Sequence, residues 1–308
     1  MEIKINITQK NKEKVLGLIS ELVDSEYDKN AVVGSPEANP AQGSLVDLDL
    51  GIPKNVESIT LDQPSLENST IGSWFMFNSF FAGKALLRVL ANYLTKENVS
   101  SMDTNQLIEL SYKQFKSAGL SKYRGFPKDK KHHKYEKSNI NKLNYFILVP
   151  FADMGFVTID PSDKSDDVVL TKAGLDFLML KNPILDENKQ TPCLSEGEQR
   201  FIINYLKSVD EKYKEYSTLK DLFNLIKETN NISYTDIVNW FENNKKIIDY
   251  LYSGSMAEKE GANKDSKRFK DYLHHAAPSF ASSRIALLRE LGIIIDKRGE
   301  YKIISNLN

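Results

Sequence analysis

Hydrophobic positions along the chain fall into runs with helical spacing, separated by short alternating runs and by polar stretches rich in proline and glycine. Residues 2–7 alternate as a strand does. Val15, Leu16, Ile19, Leu22 and Val23 then predict a helix over 9–24. From Ser25 to Ser69 periodicity weakens, and Gly34, Pro36, Pro40, Gly43, Gly51, Pro53 and Pro64 punctuate the chain. This stretch reads as a long loop with short strands near Ser44–Leu50 and Ser58–Leu61. A loop of that length is unusual in a compact domain.

Beyond Gly72 the pattern is strongly helical. Phe80–Thr95 is an apolar-rich helix, and Asp103 or Thr104 caps a second one that ends at Gly119. After a basic stretch, Ser138 is the expected cap of a third helix running to Gly155, although Pro150 conflicts with its interior. Two β-rich runs around the turn PSDKSDD make a hairpin, and KAGLDFLML closes the unit. Residues 182–194 read as a linker. Ser195 and Glu198 then form a capping box ahead of a helix, and two further helices cover 217–229 and 233–252. A polar loop over Ser253–Lys267, a short basic helix, a new helix capped by Ser279 and a hairpin over IIIDKRGEYKII complete the chain.

The two halves repeat this order. Asn92-Tyr93-Leu94 matches Asn204-Tyr205-Leu206, and a second helix starts near Thr104 or Thr218. Lys128, Asp129, His132 and His133 match Lys270, Asp271, His274 and His275. A helix then ends at Gly155 or Gly292, and a hairpin follows whose first strand finishes at Asp160 or Asp296. Three helices followed by a two-stranded wing resemble the winged helix-turn-helix plan, whose third helix enters the major groove. The expected fold class is therefore mainly α with small β-hairpins (α+β). Two winged-helix modules, 72–185 and 186–308, follow a smaller N-terminal region at 1–71.

The endings FADMGFVTIDPSDKSDDVVLTKAG and IALLRELGIIIDKRGEYKII, in tandem, are similar to the recognition region of FokI-type IIS restriction endonucleases. The resemblance is one of pattern over residues 72–308. It implies DNA recognition, and the absence of a cleavage domain after the second hairpin implies recognition without cutting.

Composition narrows the possibilities. A hydrophobic content of 41% with 27% charged residues suits a globular protein, and a net charge of −1 confines any nucleic-acid surface to a local patch. The single cysteine, Cys193, excludes an internal disulfide and a cysteine-based zinc site. No long apolar run suggests a signal or a membrane span, so the cytoplasm is the expected location.

Lys122–Phe146 holds eight Lys or Arg against two Asp or Glu, a patch suited to phosphates. The expected DNA contacts in the first module are Lys128, Lys130, Lys131, His133, Lys134, Lys137, Ser138, Asn139, Asn141 and Lys142. Asn pairs bidentately with adenine and Lys with guanine, so Asn139, Asn141 and Lys142 are the expected base readers. In the second module the contacts are Lys267, Arg268, Lys270, the helix turn Ser282, Ser283 and Arg284, and the wing pair Lys297 and Arg298. Lys164, set among Asp163, Asp166 and Asp167, is not expected to touch DNA.

Neighbouring histidines on a helix diverge, so neither His-His pair is expected to chelate a metal. Asp296, Glu300 and Lys302 imitate an acidic nuclease motif but also fit a plain turn. Trp74, Phe75, Phe77, Phe80 and Phe81 read as core. No catalytic centre, metal or cofactor is expected. The expected partner is double-stranded DNA, together with a protein partner or a separate nuclease or effector subunit, and no membrane. A protein-interaction scaffold and a nuclease with an unrecognised site are the competing readings.

Overall fold

The structure, a computed structural model, describes residues 50–63, 77, 79–128, 137–138, 140–141, 143–163, 165–213, 215–229, 231–252, 261, 263–297 and 299–307. These belong to one compact unit that is mostly helical, with two small antiparallel sheets. The elements expected over 2–24 lie outside the described residues, as do Trp74 and Phe75. The strand expected near Ser58–Leu61 is instead a 3-10 turn at Val56–Ser58. It is opened by Asn55 in the left-handed region (φ 61), a conformation Asn tolerates better than most residues.

Helix α1, Phe80–Glu97, lies at the centre of the first half. Ser79 caps it by accepting from the Ala82 N–H at 3.1 Å. Every residue from Phe80 to Ala91 is buried, the pattern of a helix enclosed on all sides. Gly83 admits the Phe151 ring, because a Cβ there would lie 1.9 Å from it. Strand β1, Met102–Asp103, leads into α2, Thr104–Ser117, with Asp103 accepting from the Gln106 N–H at 2.9 Å.

A third helical segment is under way by Lys137, so Ser138 is not its cap. It passes through a π turn at Asn144–Leu148 into α3, Val149–Asp153. The wide turn resolves the Pro150 conflict. Val149 bonds back to the Asn144 carbonyl, and the missing proline donor falls at the start of α3, where it is not needed. Strands β2, Val157–Asp163, and β3, Ser165–Leu170, form the hairpin, β3 pairs with β1, and α4, Lys172–Met179, follows.

Helix α5, Glu196–Tyr213, joins the halves, and the Ser195–Glu198 capping box is present. The second half runs α6 (Glu215–Thr229), β4 (Ile232–Ser233), α7 (Tyr234–Asn243), α8 (Lys245–Tyr252), α9 (Lys267–Glu290), β5 (Ile294–Lys297) and β6 (Glu300–Ile303). The sheet orders are β1-β3-β2 and β4-β6-β5, so the last strand of each hairpin lies between its partner and the short strand that precedes the second helix.

The third helices end alike. Gly155 (φ 77) and Gly292 (φ 68) follow them. Phe156 N–H bonds to the Phe151 carbonyl and Ile293 N–H to the Leu288 carbonyl, both at 2.9 Å, as in a Schellman cap.

Several sequence expectations need correction. By position in this order, the counterpart of α1 is α6, so the match between Asn92–Leu94 and Asn204–Leu206 is not structural; α5 is an additional helix. Thr218 lies within α6, and the residue corresponding to Thr104 is Tyr234. The helix expected over 233–252 divides at Asn244, whose side chain accepts from Lys246 and Ile247.

The basic helix and the Ser279-capped helix are one helix, α9, capped by Ser266, with Pro278 inside it. Ala276, Ala277, Phe280 and Ala281 are all buried around that proline, so packing on both sides outweighs a backbone defect of about 3 kcal/mol.

The segment 182–194 is not a free linker. The buried Asn182 accepts from Ile184 and Leu185 (3.0 Å each) and donates to the Cys193 carbonyl and to Glu198. Asp186 receives the Asn182 N–H at 2.6 Å and Arg88 at 2.6 and 2.7 Å.

Candidate nucleic-acid interface

In the first half the third helical segment turns Ile140, Leu143 and Ile147 toward the core. Lys137, Asn141 and Tyr145, each four residues on from the last, make an outward stripe. Lys137 and Asn141 are exposed, Ser138 is half-buried, and Tyr145 is 61% exposed. Lys128 is exposed ahead of this segment. Lys130, Lys131, His133, Lys134, Asn139 and Lys142 lie outside the described residues, as do His132 and Lys164. Tyr145 was not anticipated as a site residue. Its signal was available, since the apolar spacing of its neighbours forces an aromatic ring to the outer face.

In the second half the corresponding stripe is the first half of α9. Lys267, Arg268, Lys270, Asp271, His274 and His275 are exposed there, while Phe269, Leu273, Ala276 and Ala277 face the core. The first turn of α9 carries no acidic residue. Lys267 and Arg268 oppose the helix dipole, which favours negative charge at that end. Lys270 has only a loose ion pair with Asp265 at 3.8 Å. His274 Nδ1 meets Glu242 at 2.8 Å.

The turn Ser282–Arg284 does not form the outward-facing reading turn expected. Ser283 and Arg284 are buried deep in α9. The Arg284 guanidinium meets Glu215 at 2.6 Å and lies 3.8 Å from the centre of the Phe280 ring. Ser282 is half-buried and receives Arg124 at 2.9 Å. The reason is register. The helix starts at Lys267, not Phe280, so this turn belongs to its packed second half, where Ile285, Leu288 and Leu291 are core as expected. Lys297 is exposed at the end of β5 opposite Glu300, and Arg298 lies outside the described residues.

The acidic motif is not assembled as a metal site. Asp296 pairs in register with Tyr301, and Lys297 with Glu300. Since strand side chains alternate between faces, Asp296 projects from the face opposite Glu300 and Lys302. Its carboxylate accepts the Gly299 N–H at 3.0 Å and closes the turn. Among the described residues no three His, Cys, Asp or Glu side chains converge on a point. Burial, reinforced by Glu290, pushes the Cys193 thiol up to about 12, so its thiolate form is disfavoured.

Phe77, Phe80 and Phe81 are core, as expected. No described helix is long and apolar enough to cross a membrane. No family model matches the chain, and neither a curated protein nor a solved structure shows significant similarity to it.

Proposed function

We propose that the protein binds duplex DNA through two winged-helix modules, as a regulator or as the recognition component of a restriction or defence system. One observation carries the reading. The order helix–strand–helix–helix–hairpin recurs with the same sheet order, the second copy carrying the additional helix α8, and the helix before each hairpin bears an exposed stripe of cationic and hydrogen-bonding side chains.

The readers are Lys137, Asn141 and Tyr145 in the first module and Lys267, Arg268, Lys270 and His274 in the second. The first half of a third helix is the part that reaches base edges, while its buried second half anchors it. Lys and Arg hold phosphates wherever the protein lands on a duplex, and Asn141 supplies the paired donor and acceptor that distinguish adenine. Exposed Lys128 adds a further cation to the first module.

Selection from a random duplex pool tests the reading. An enriched motif is expected. Asn141→Ala should weaken binding to that motif by about 1–3 kcal/mol and leave nonspecific binding nearly unchanged. Absence of any duplex affinity at low salt would move the protein to the scaffold reading.

A further inference from the structure

The start of α1 is held by the far end of α9. Glu290 accepts the Phe80 N–H at 2.6 Å, the Phe81 N–H at 3.0 Å and the Ser79 hydroxyl at 2.9 Å. A carboxylate from the second half therefore caps the central helix of the first. Beside it, Arg124 crosses to Ser282 of α9. Gly125 (φ 84) makes that crossing achievable, because a Cβ there would fall 2.6 Å from that of Ser79.

Further along α1, Lys84 meets Glu198 of α5 at 2.7 Å with both side chains fully buried, and Arg88 meets Asp186. Along α5, Phe201 stacks on Phe177 at 5.6 Å, and Tyr205 donates to the Met154 carbonyl at the end of α3. Gln199, also on α5, lies against Gly292 at the end of α9. A single hydrophobic core runs through both halves.

Domains joined by a polar, solvated interface move against one another. This junction has the opposite character. It is held by the Glu290 carboxylate on three donors and by α5. The fully buried Lys84–Glu198 pair fixes α5 to α1, and α5 lies against Gly292 of the second half. Breaking that pair would strand a buried ion.

We propose that the two modules read DNA as one rigid body, so that the target is a single bipartite element with fixed spacing and fixed rotational phase. The inference rests on the DNA-binding reading and adds the geometry of the target to it. An independently swivelling pair would reach half-sites at several separations. A rigid pair engages both at only one, and elsewhere falls back to the affinity of a single module.

Two measurements test it, the first independent of any target sequence. In a Cys193→Ser background, spin labels on Lys113→Cys in α2 and Lys245→Cys in α8, both exposed positions, report the separation of the halves. One narrow distance peak is expected, unmoved by a random-sequence duplex. A broad or double peak, or one that shifts, overturns the proposal.

The second measurement uses wild-type protein and the element enriched from a random duplex pool. Two sequence blocks are expected. Inserting five base pairs between them turns one block to the opposite face of the duplex and should weaken binding about 100-fold. Inserting ten base pairs should give no recovery, since the phase returns but the distance does not. A loss under about threefold, recovery at ten, or enrichment of only one block overturns the rigid reader while leaving DNA binding intact. No enrichment at all overturns the DNA-binding reading and this inference with it, and a narrow spin-label peak would then describe the junction alone.

Discussion

Arg284 illustrates how a charge can be structural. Its guanidinium is fully buried between the Phe280 ring and Glu215. Arg284→Ala leaves the Glu215 carboxylate in the interior without its cation, which should destabilise the fold by about 3–5 kcal/mol in urea unfolding. Lys270→Ala, at an exposed position, should change stability by no more than about 0.5 kcal/mol. Equal effects for the two would contradict this division between frame and surface.

Glu290 gives a pH-dependent counterpart. Burial pushes its carboxyl from 4.5 up to about 7, against the opposing pull of Phe81, Phe80, Ser79 and Arg124. Between those values the folded protein keeps a proton that the unfolded chain has released. Stability therefore falls as pH rises from about 4.5 to about 7. Glu290→Gln should flatten this part of the stability profile, and a profile as steep as wild type would show that the titration lies elsewhere.

Arg284 also marks a limit of the sequence. Nothing near it hints at burial, and its partner lies 69 positions away. Asn141 and Lys137, by contrast, were legible because their outward direction follows from the apolar spacing around them.

At the scale of elements, ends were more legible than interiors. Asp103, Gly119, Gly155, Gly292 and the Ser195–Glu198 box all mark helix ends where local chemistry places them, because capping depends on only a few neighbouring residues. Both hairpins were equally visible. The helix start expected at Ser279 is absent because Ser279 lies inside α9, whose packing tolerates Pro278, and the turn Ser282–Arg284 therefore falls in its buried second half. Pro150 was accommodated by a π turn that no periodicity announces.

Gly83 is a third case of distant packing. Its neighbour is the Phe151 ring, 68 residues on, in α3. Gly83→Ala should displace that ring and separate α1 from the third helix of the first half. Overpacking of this kind costs about 1–3 kcal/mol, and thermal unfolding measures it. A stabilised variant would show that the helix gains more from alanine than the contact loses.

At the scale of the whole molecule, a net charge of −1 is compatible with the proposed DNA-binding surface because the positive charge is local. Acidic residues elsewhere are spent in ion pairs and caps such as Glu198, Asp186 and Glu290. The exposed first turn of α9 is cationic and free of carboxylates. The repeat of topology was visible in the sequence. Its register was not, because α5 and α8 are additions that shift the second half against the first.

The most direct test of the account is the salt dependence of duplex binding by wild-type protein and by the variant with Lys267, Arg268 and Lys270 all changed to Ala. These side chains are exposed and outside the core, so the variant should stay folded. If they hold phosphates, binding to every duplex should weaken together. The slope of log affinity against log salt should also become shallower by about 2–3, close to one for each lost contact. A folded variant that binds duplex DNA as tightly as wild type at every salt concentration would contradict the account.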